Sequence, residues 1–235
     1  MQAPHKILGK KLLVITAHPD DESYVMAGTL AANAKAGGQS MIVCATAGEK
    51  GASHLTRAIP ARTLAQRRKQ ELHAACSVLH VNHVCICNLP DGRLAQRMPA
   101  FSREITKAIQ SYTPDIVVSF GPCGITGHAD HIAAGKVGQG IAKKLGVPFA
   151  AAVLSPKLQR AAKAFLQSRR KTGHYKNTVR FVEPNLTIRI AARDKRRALR
   201  CHASQMDAGK LFTGFPKYIV EGLLHHEYFR IWKIR

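Results

Sequence analysis

Five strand-sized apolar runs, each parted from the next by a stretch of helical periodicity, restrict what this chain can become. The runs are Lys11–Thr16, Ser40–Thr46, His83–Asn88, Asp115–Phe120 and Val147–Leu154. Between them the spacing predicts helices over Tyr24–Ala36, closed by Gly37-Gly38, then Ala61–Leu79, Pro99–Ser111 and Asp130–Leu145. Strand and helix in steady succession call for a mostly parallel sheet with helices on both faces, since each parallel crossover lays its helix against the sheet. The expectation is a single Rossmann-like α/β domain over residues 1–235, with a core over about 10–155. Beyond Pro156 the pattern weakens: Gln159–Arg170 and Arg193–Met206 read as helical and Thr178–Ile190 as extended. This part, 156–235, is expected to pack on the core and to carry a candidate substrate loop at Thr172-Gly173-His174-Tyr175. Neither an internal repeat nor a linker argues for a second domain.

In sheets of this kind ligands sit outside the carboxyl ends of the strands, and the unusual residues here follow strand ends. After the first strand comes Ala17-His18-Pro19-Asp20-Asp21-Glu22. A histidine and two carboxylates within four residues can meet a cation without long side chains. His18 and Asp21 form the natural ligand pair, with Asp20 on the open side. After the fourth strand comes Gly121-Pro122-Cys123-Gly124-Ile125-Thr126-Gly127-His128-Ala129-Asp130-His131. His128 and His131, three residues apart, share one face of a first helical turn, where free amides and the helix dipole favour developing negative charge. Either segment alone also reads as a turn or a helix cap. Together they supply two histidines and an aspartate with a position left for water, the pattern of catalytic zinc sites. In that chemistry Asp20 takes the water's proton, His128 steadies the oxyanion or protonates the leaving amine, and Asp130 orients an imidazole. The same donors suit ferrous iron or another divalent metal, so the ligands are better defined than the ion.

Composition removes several classes. With 46% hydrophobic and 21% charged residues the chain reads as globular. No apolar run approaches the roughly 18–20 residues of a membrane span, and Pro19 and the acids after it end the first run too soon for a secretory leader. Six cysteines without a Cys-x-x-Cys pair fit reduced thiols, buried at Cys85 and Cys87, and a cytoplasmic location. Gly135, Gly138 and Gly140 fall inside a helix pattern, in the wrong place for a dinucleotide fingerprint, and read as helix packing.

The charge stands apart. Lys and Arg number 36 against 14 acids, a net +22, and residues 157–235 hold 19 of the bases with five of the acids. Such a field attracts polyanions: nucleic acid, anionic lipid or a phosphorylated substrate. Aromatics make up only 6% and no nucleic-acid motif is visible, so nucleic acid is not expected as a partner. The alternative to an enzyme is a basic polyanion-binding protein with a structural or vestigial metal site.

His18-Pro19-Asp20-Asp21-Glu22 with Gly127-His128-Ala129-Asp130-His131 resembles the two signatures of the PIG-L/LmbE-like zinc N-deacetylases. Arg68 to Glu71 and Leu89-Pro90-Asp91-Gly92-Arg93-Leu94 are similar to the family's middle stretch, His202-Ala203-Ser204-Gln205 resembles its late His-x-Ser-Gln and Glu227-Tyr228-Phe229 its closing strand, in order along almost the whole chain. The resemblance implies a Rossmann-like hydrolase that removes acetyl groups from N-acetylglucosamine-type sugars. It implies zinc held by His18, Asp21 and His131, with Asp20 as general base and His128 as the electrophilic or acidic partner. Arg68 and Asp91 match positions near the family's substrate pocket. Ala129 stands where a proline is often found, a change a helix start tolerates. The membrane anchor of the eukaryotic glycolipid enzymes is not matched, so the expectation is a soluble small amino-sugar substrate, for which the net charge would suit an anionic form, or a peripheral membrane role.

Overall fold

Leu12, Leu13, Val14 and Ile15 are each at most 1% exposed, because their strand lies at the middle of a sheet covered on both faces. The computed structural model describes residues 7–51, 59–170, 181–206, 210–211 and 217–233, the side chains of 163 and 165–170 excepted. In chain order the elements are β1 (Lys11–Thr16), α1 (Asp21–Val25), α2 (Ala27–Lys35), β2 (Gln39–Thr46), α3 (Ala61–Val78), β3 (His83–Leu89), α4 (Met98–Ala108) and β4 (Ile116–Phe120). They continue with α5 (Gly124–Gly127), α6 (Ala129–Leu145), β5 (Phe149–Val153), α7 (Pro156–Arg170), β6 (Leu186–Arg189), α8 (Ala192–Cys201), α9 (Lys217–His225) and β7 (His226–Trp232). The sheet order is β3-β2-β1-β4-β5-β7-β6, with β1 to β5 parallel. Right-handed crossovers then set α2 and α3 on one face and α4 and α6 on the other. α8 packs on the first of these faces, against α2 and α3.

Two expectations need correction, and the sheet runs on past the expected core: β7 pairs antiparallel with β5, from Phe149 opposite Trp232 to Val153 opposite Tyr228, and β6 pairs antiparallel with β7. The C-terminal part therefore completes the sheet as well as packing on it. The helix expected over Tyr24–Ala36 is two helices, broken at Met26, whose φ of −138° and ψ of −2° leave the helical region. Cys85 and Cys87 are only half-buried, because β3 is an edge strand, and all six cysteines are free. The Thr172–Tyr175 loop and residues 178–180 of the stretch expected to be extended over Thr178–Ile190 lie outside the described residues; within 181–190 the strand is Leu186–Arg189.

Of the three α6 glycines, Gly135 and Gly138 pack the helix against the sheet, whereas exposed Gly140 does not. A Cβ on Gly135 would run into the Phe120 carbonyl, and one on Gly138 would meet Ser119 Cβ at 2.9 Å. Gly135→Ala is expected to cost about 1–3 kcal/mol, since backbone cannot step aside as a side chain can. Urea denaturation should locate that loss, and Gly140→Ala, with nothing within 4 Å, should show none of it.

Candidate active site

β1 and β4 lie side by side while their connections leave in opposite directions, and the gap beyond their carboxyl ends is where such sheets bind ligands. A cavity of about 380 Å³ opens there between the loops that follow β1, β2, β3 and β4. Its size suits a small ligand. Tyr24, Val25, Phe120, Ile125 and Leu223 give it an apolar side opposite its carboxylates and imidazoles.

The first loop is tied back on itself. Asp21 Oδ2 accepts the amides of Ala17 and His18 at 2.9 and 2.8 Å, bringing its carboxylate across the strand end. Asp20 before it has φ 117°, a conformation that costs a non-glycine residue roughly 1–3 kcal/mol. Three contacts hold it there. Glu22 Oε2 accepts the Asp20 amide at 3.1 Å. Arg68, 3% exposed, donates to Asp20 Oδ2 at 3.0 Å and to the Pro19 carbonyl. A further Arg68 bond, to the Gly48 carbonyl at 2.8 Å, ties this loop to the one after β2.

The second loop holds another strained residue, Ile125 at φ 63°, inside the short α5. This bend leaves the Gly124 carbonyl 3.0 Å from His131 Nδ1, while the His131 ring stacks on Phe120 with centroids 4.3 Å apart. His128 is the N-cap of α6, its Nδ1 accepting the Asp130 amide at 3.2 Å. A carbonyl only accepts, so His131 carries its proton on Nδ1 and turns the Nε2 lone pair inward. An amide only donates, so His128 carries its proton on Nε2.

Across the gap, His18 Nδ1 lies 3.3 Å from His131 Nε2, His131 Nε2 lies 3.1 Å from Asp21 Oδ1, and His18 Nδ1 lies 3.9 Å from Asp21 Oδ2. Bonds of about 2.0–2.1 Å in a tetrahedral zinc site put ligand atoms about 3.3 Å apart, so these separations bracket what the ion needs. The other His18 nitrogen, Nε2, faces Asp91 Oδ1 at 3.1 Å and Asp130 Oδ2 at 3.3 Å. With His18 donating from Nε2, the three inward atoms are all acceptors, and a cation or an added proton must sit among them. The electrostatics agree. Burial alone lowers the His18 imidazole, but Asp130, Asp91 and Asp21 carry it up to about 10. Burial likewise works against ionised Asp21, yet His131 and His18 hold it below the usual carboxylate range. These residues fit a divalent ion.

Two other groups differ from their ordinary state. Burial pushes the Asp20 carboxyl up to about 6, with the Arg68 charge pulling the other way. Burial and the neighbouring imidazoles His131 and His18 take His128 down to about 4, so it stays neutral at physiological pH.

His18, Asp20, Asp21, Arg68, Asp91, His128 and His131 all line the cavity. Asp130 stands behind His18, its oxygens accepting the Gly92 and Leu94 amides at 2.7 and 2.9 Å. The Arg68 guanidinium spends its bonds on the Asp20 loop, and Asp91 divides its carboxylate between His18 and the Lys50 amide. Sequence reasoning assigned no role to Glu22, Glu71 or Ser204. Glu22 Oε1 meets His202 Nε2 at 2.7 Å, and Glu71 receives the Ser204 amide and hydroxyl at 2.8 and 2.6 Å, so the turn after α8 is pinned beside the cavity. The only signal was that these residues fall inside the quoted stretches.

The sequence model of the family described as PIG-L, GlcNAc-PI de-N-acetylase, matches residues 13–142. A 1D-myo-inositol 2-acetamido-2-deoxy-alpha-D-glucopyranoside deacetylase of Nakamurella multipartita is 30% identical over 94% of this chain and 88% of its own length. A probable N-acetyl-alpha-D-glucosaminyl L-malate deacetylase 2 of Bacillus subtilis is 37% identical over 53% of the chain, which spans 57% of that relative. Among solved structures, N,N'-diacetylchitobiose deacetylase from Pyrococcus horikoshii superposes with a TM-score of 0.65 at 23% identity, over 99% of this chain and 86% of that one. This likeness establishes the fold. Among the described residues no helix is long and apolar enough to cross a membrane.

Proposed function

The chain belongs to the PIG-L family, and on that premise we propose that it is a metal-dependent hydrolase that removes the N-acetyl group from an N-acetylglucosamine-type sugar or conjugate. The observation that carries the reading is that His18 Nδ1 and His131 Nε2 face each other at 3.3 Å with the Asp21 carboxylate beside both, Oδ1 3.1 Å from His131 and Oδ2 3.9 Å from His18, and with Asp20 and His128 on the same cavity.

His18, Asp21 and His131 would hold the ion, zinc first and ferrous iron second. Bound there, it supplies Lewis-acid charge to a carbonyl oxygen and makes water a better nucleophile near neutral pH. Asp20 accepts the attacking water's proton, and a carboxyl raised to about 6 suits a general base working near neutrality. Arg68 and Glu22 keep that base aimed in its strained conformation. Neutral His128 donates from Nε2 to the oxygen on which charge builds. Asp130 and Asp91 receive the His18 Nε2 proton and so fix its tautomer and orientation. Lys50, exposed at the cavity wall with Nζ 3.7 Å from the position of a Cβ on Gly92, favours a sugar with an anionic substituent. Free thiols throughout support a reducing, cytoplasmic setting.

The test is acetate release from N-acetylglucosamine, diacetylchitobiose and their malate- and inositol-linked conjugates by protein reconstituted with zinc or iron, before and after chelation. Release that chelation abolishes and metal restores is the expected result; no release from any of these sugars by either metallated form overturns the reading. Two variants separate the roles. His131→Ala should lose bound metal and rate together, whereas His128→Ala should lose rate with metal content unchanged. Asp130→Asn should lower metal affinity or turnover about 10–100-fold, the usual cost of removing a carboxylate that orients a liganding histidine.

A further inference from the structure

The excess of positive charge has no part in that reaction, and the fold concentrates some of it. On α8, Arg193, Arg196, Arg197 and Arg200 are all exposed, spaced so that they share one side of the helix over about 10 Å. The two charges between them turn inward and are neutralised. Asp194 receives Lys35 Nζ at 2.6 Å, and fully buried Lys195 donates to Glu227 at 2.9 Å. α3, packed against α8, adds exposed Arg62, and exposed Arg67 whose Nε pairs with Glu71 Oε1 at 3.3 Å. Its single acid, Glu71, is buried against Ser204. Over α1, α2, α3, α8 and α9 the exposed carboxylate is Glu221, and Lys217 faces it at 3.7 Å. None of the four α8 arginines faces a carboxylate among the described residues.

We propose that the outer face of α8, continued by α3, docks the protein on an anionic phospholipid headgroup surface. Guanidinium forks match phosphate oxygens, and four or more basic residues on one side of an amphipathic helix suit anionic headgroups. The face is the outside of two packed helices rather than a groove, and neither helix contains Phe, Tyr or Trp. A nucleic-acid strand would find no stacking platform there. Nor is a large apolar side chain exposed on either helix, so attachment is electrostatic and reversible rather than inserted. α8 ends at His202, and the turn after it brings Gln205 to the cavity wall.

The experiment is sedimentation of the full-length protein with phosphatidylcholine vesicles, with and without phosphatidylglycerol, at about 0.1 M salt and above, where the Debye length falls below about 10 Å. The wild type should bind only the anionic vesicles and leave them as salt rises. The variant Arg193→Gln/Arg196→Gln/Arg197→Gln/Arg200→Gln should bind several-hundredfold more weakly, at about fivefold per basic residue, with unchanged circular dichroism. A second variant neutralises four exposed bases on the opposite face of the sheet, Arg103, Lys136, Lys143 and Lys144, and should lose far less. An equal loss in both variants would assign the binding to bulk charge and overturn the proposal. So would the absence of vesicle binding, alone or together with arginine-dependent binding of a DNA or RNA duplex.

Discussion

Asp20→Asn is expected to lower the rate of acetate release about 10²–10⁴-fold, the range that removal of a positioned general base produces, while bound metal and stability stay close to wild type. The substitution keeps the shape of the side chain and removes its ability to take a proton. Its effect should be confined to chemistry because the contacts that hold residue 20 are mostly to backbone. Glu22 accepts its amide, and Arg68 holds the Pro19 and Gly48 carbonyls whatever residue 20 carries. Only the bond from Arg68 to Asp20 Oδ2 changes, and an amide oxygen can still accept it. Metal content by elemental analysis, a denaturation curve and the rate on one substrate decide the matter. A rate within a few-fold of wild type would remove Asp20 as the base. A lost rate accompanied by lost metal would instead make it part of the ion's support.

Much of this arrangement was legible in the sequence, for an identifiable reason. β1 to β5 each lie inside a sheet or along its rim as short continuous apolar runs, and the helices between them repeat at helical spacing, so order and direction follow from chain connectivity. β7 is different. His226, Tyr228, Arg230 and Trp232 alternate with buried Glu227, Phe229 and Ile231, and nothing local states that its partner is β5 or that the pair is antiparallel. The site divides in the same way. His18 with Asp21, and His128 with His131, are close in sequence, so a turn and a helical turn bring each pair together. That Asp130 meets His18 across 112 positions, leaving its neighbour His128 to cap its amide, depends on how two loops meet above the sheet. The Glu22–His202 and Glu71–Ser204 pairs, 180 and 133 positions apart, are further from view still. Arg68 reads in the sequence as one base among three in Arg67-Arg68-Lys69, and only burial separates it from its neighbours.

Glu227→Leu should destabilise the protein by about 3–5 kcal/mol, the cost of leaving one member of a buried ion pair without the other. Lys195 is fully buried, and Glu227, 2% exposed, is the carboxylate that receives its amine. The same carboxylate also accepts the Gly28 and Thr29 amides at 3.0 and 2.7 Å, satisfying donors in the first turn of α2. Removing it strands a buried ammonium and two buried amides together. Burial already lowers the Lys195 pKa, with Glu227 opposing that shift; without Glu227 the remaining route is a neutral amine. Lys195→Met is the milder change, because Glu227 keeps its two backbone donors. The double variant should therefore recover part of the Glu227→Leu loss, since it no longer buries an unpaired charge. Urea titrations of the wild type, both single variants and the double variant measure this coupling directly, and strict additivity would mean the pair is not a unit. The consequence reaches the site because the pair joins β7, α2 and α8, and α8 carries His202 onto Glu22, which holds the Asp20 amide. Loosening that anchor should reduce turnover at temperatures where Glu227→Leu is still folded, and Lys195→Met should do so to a smaller extent.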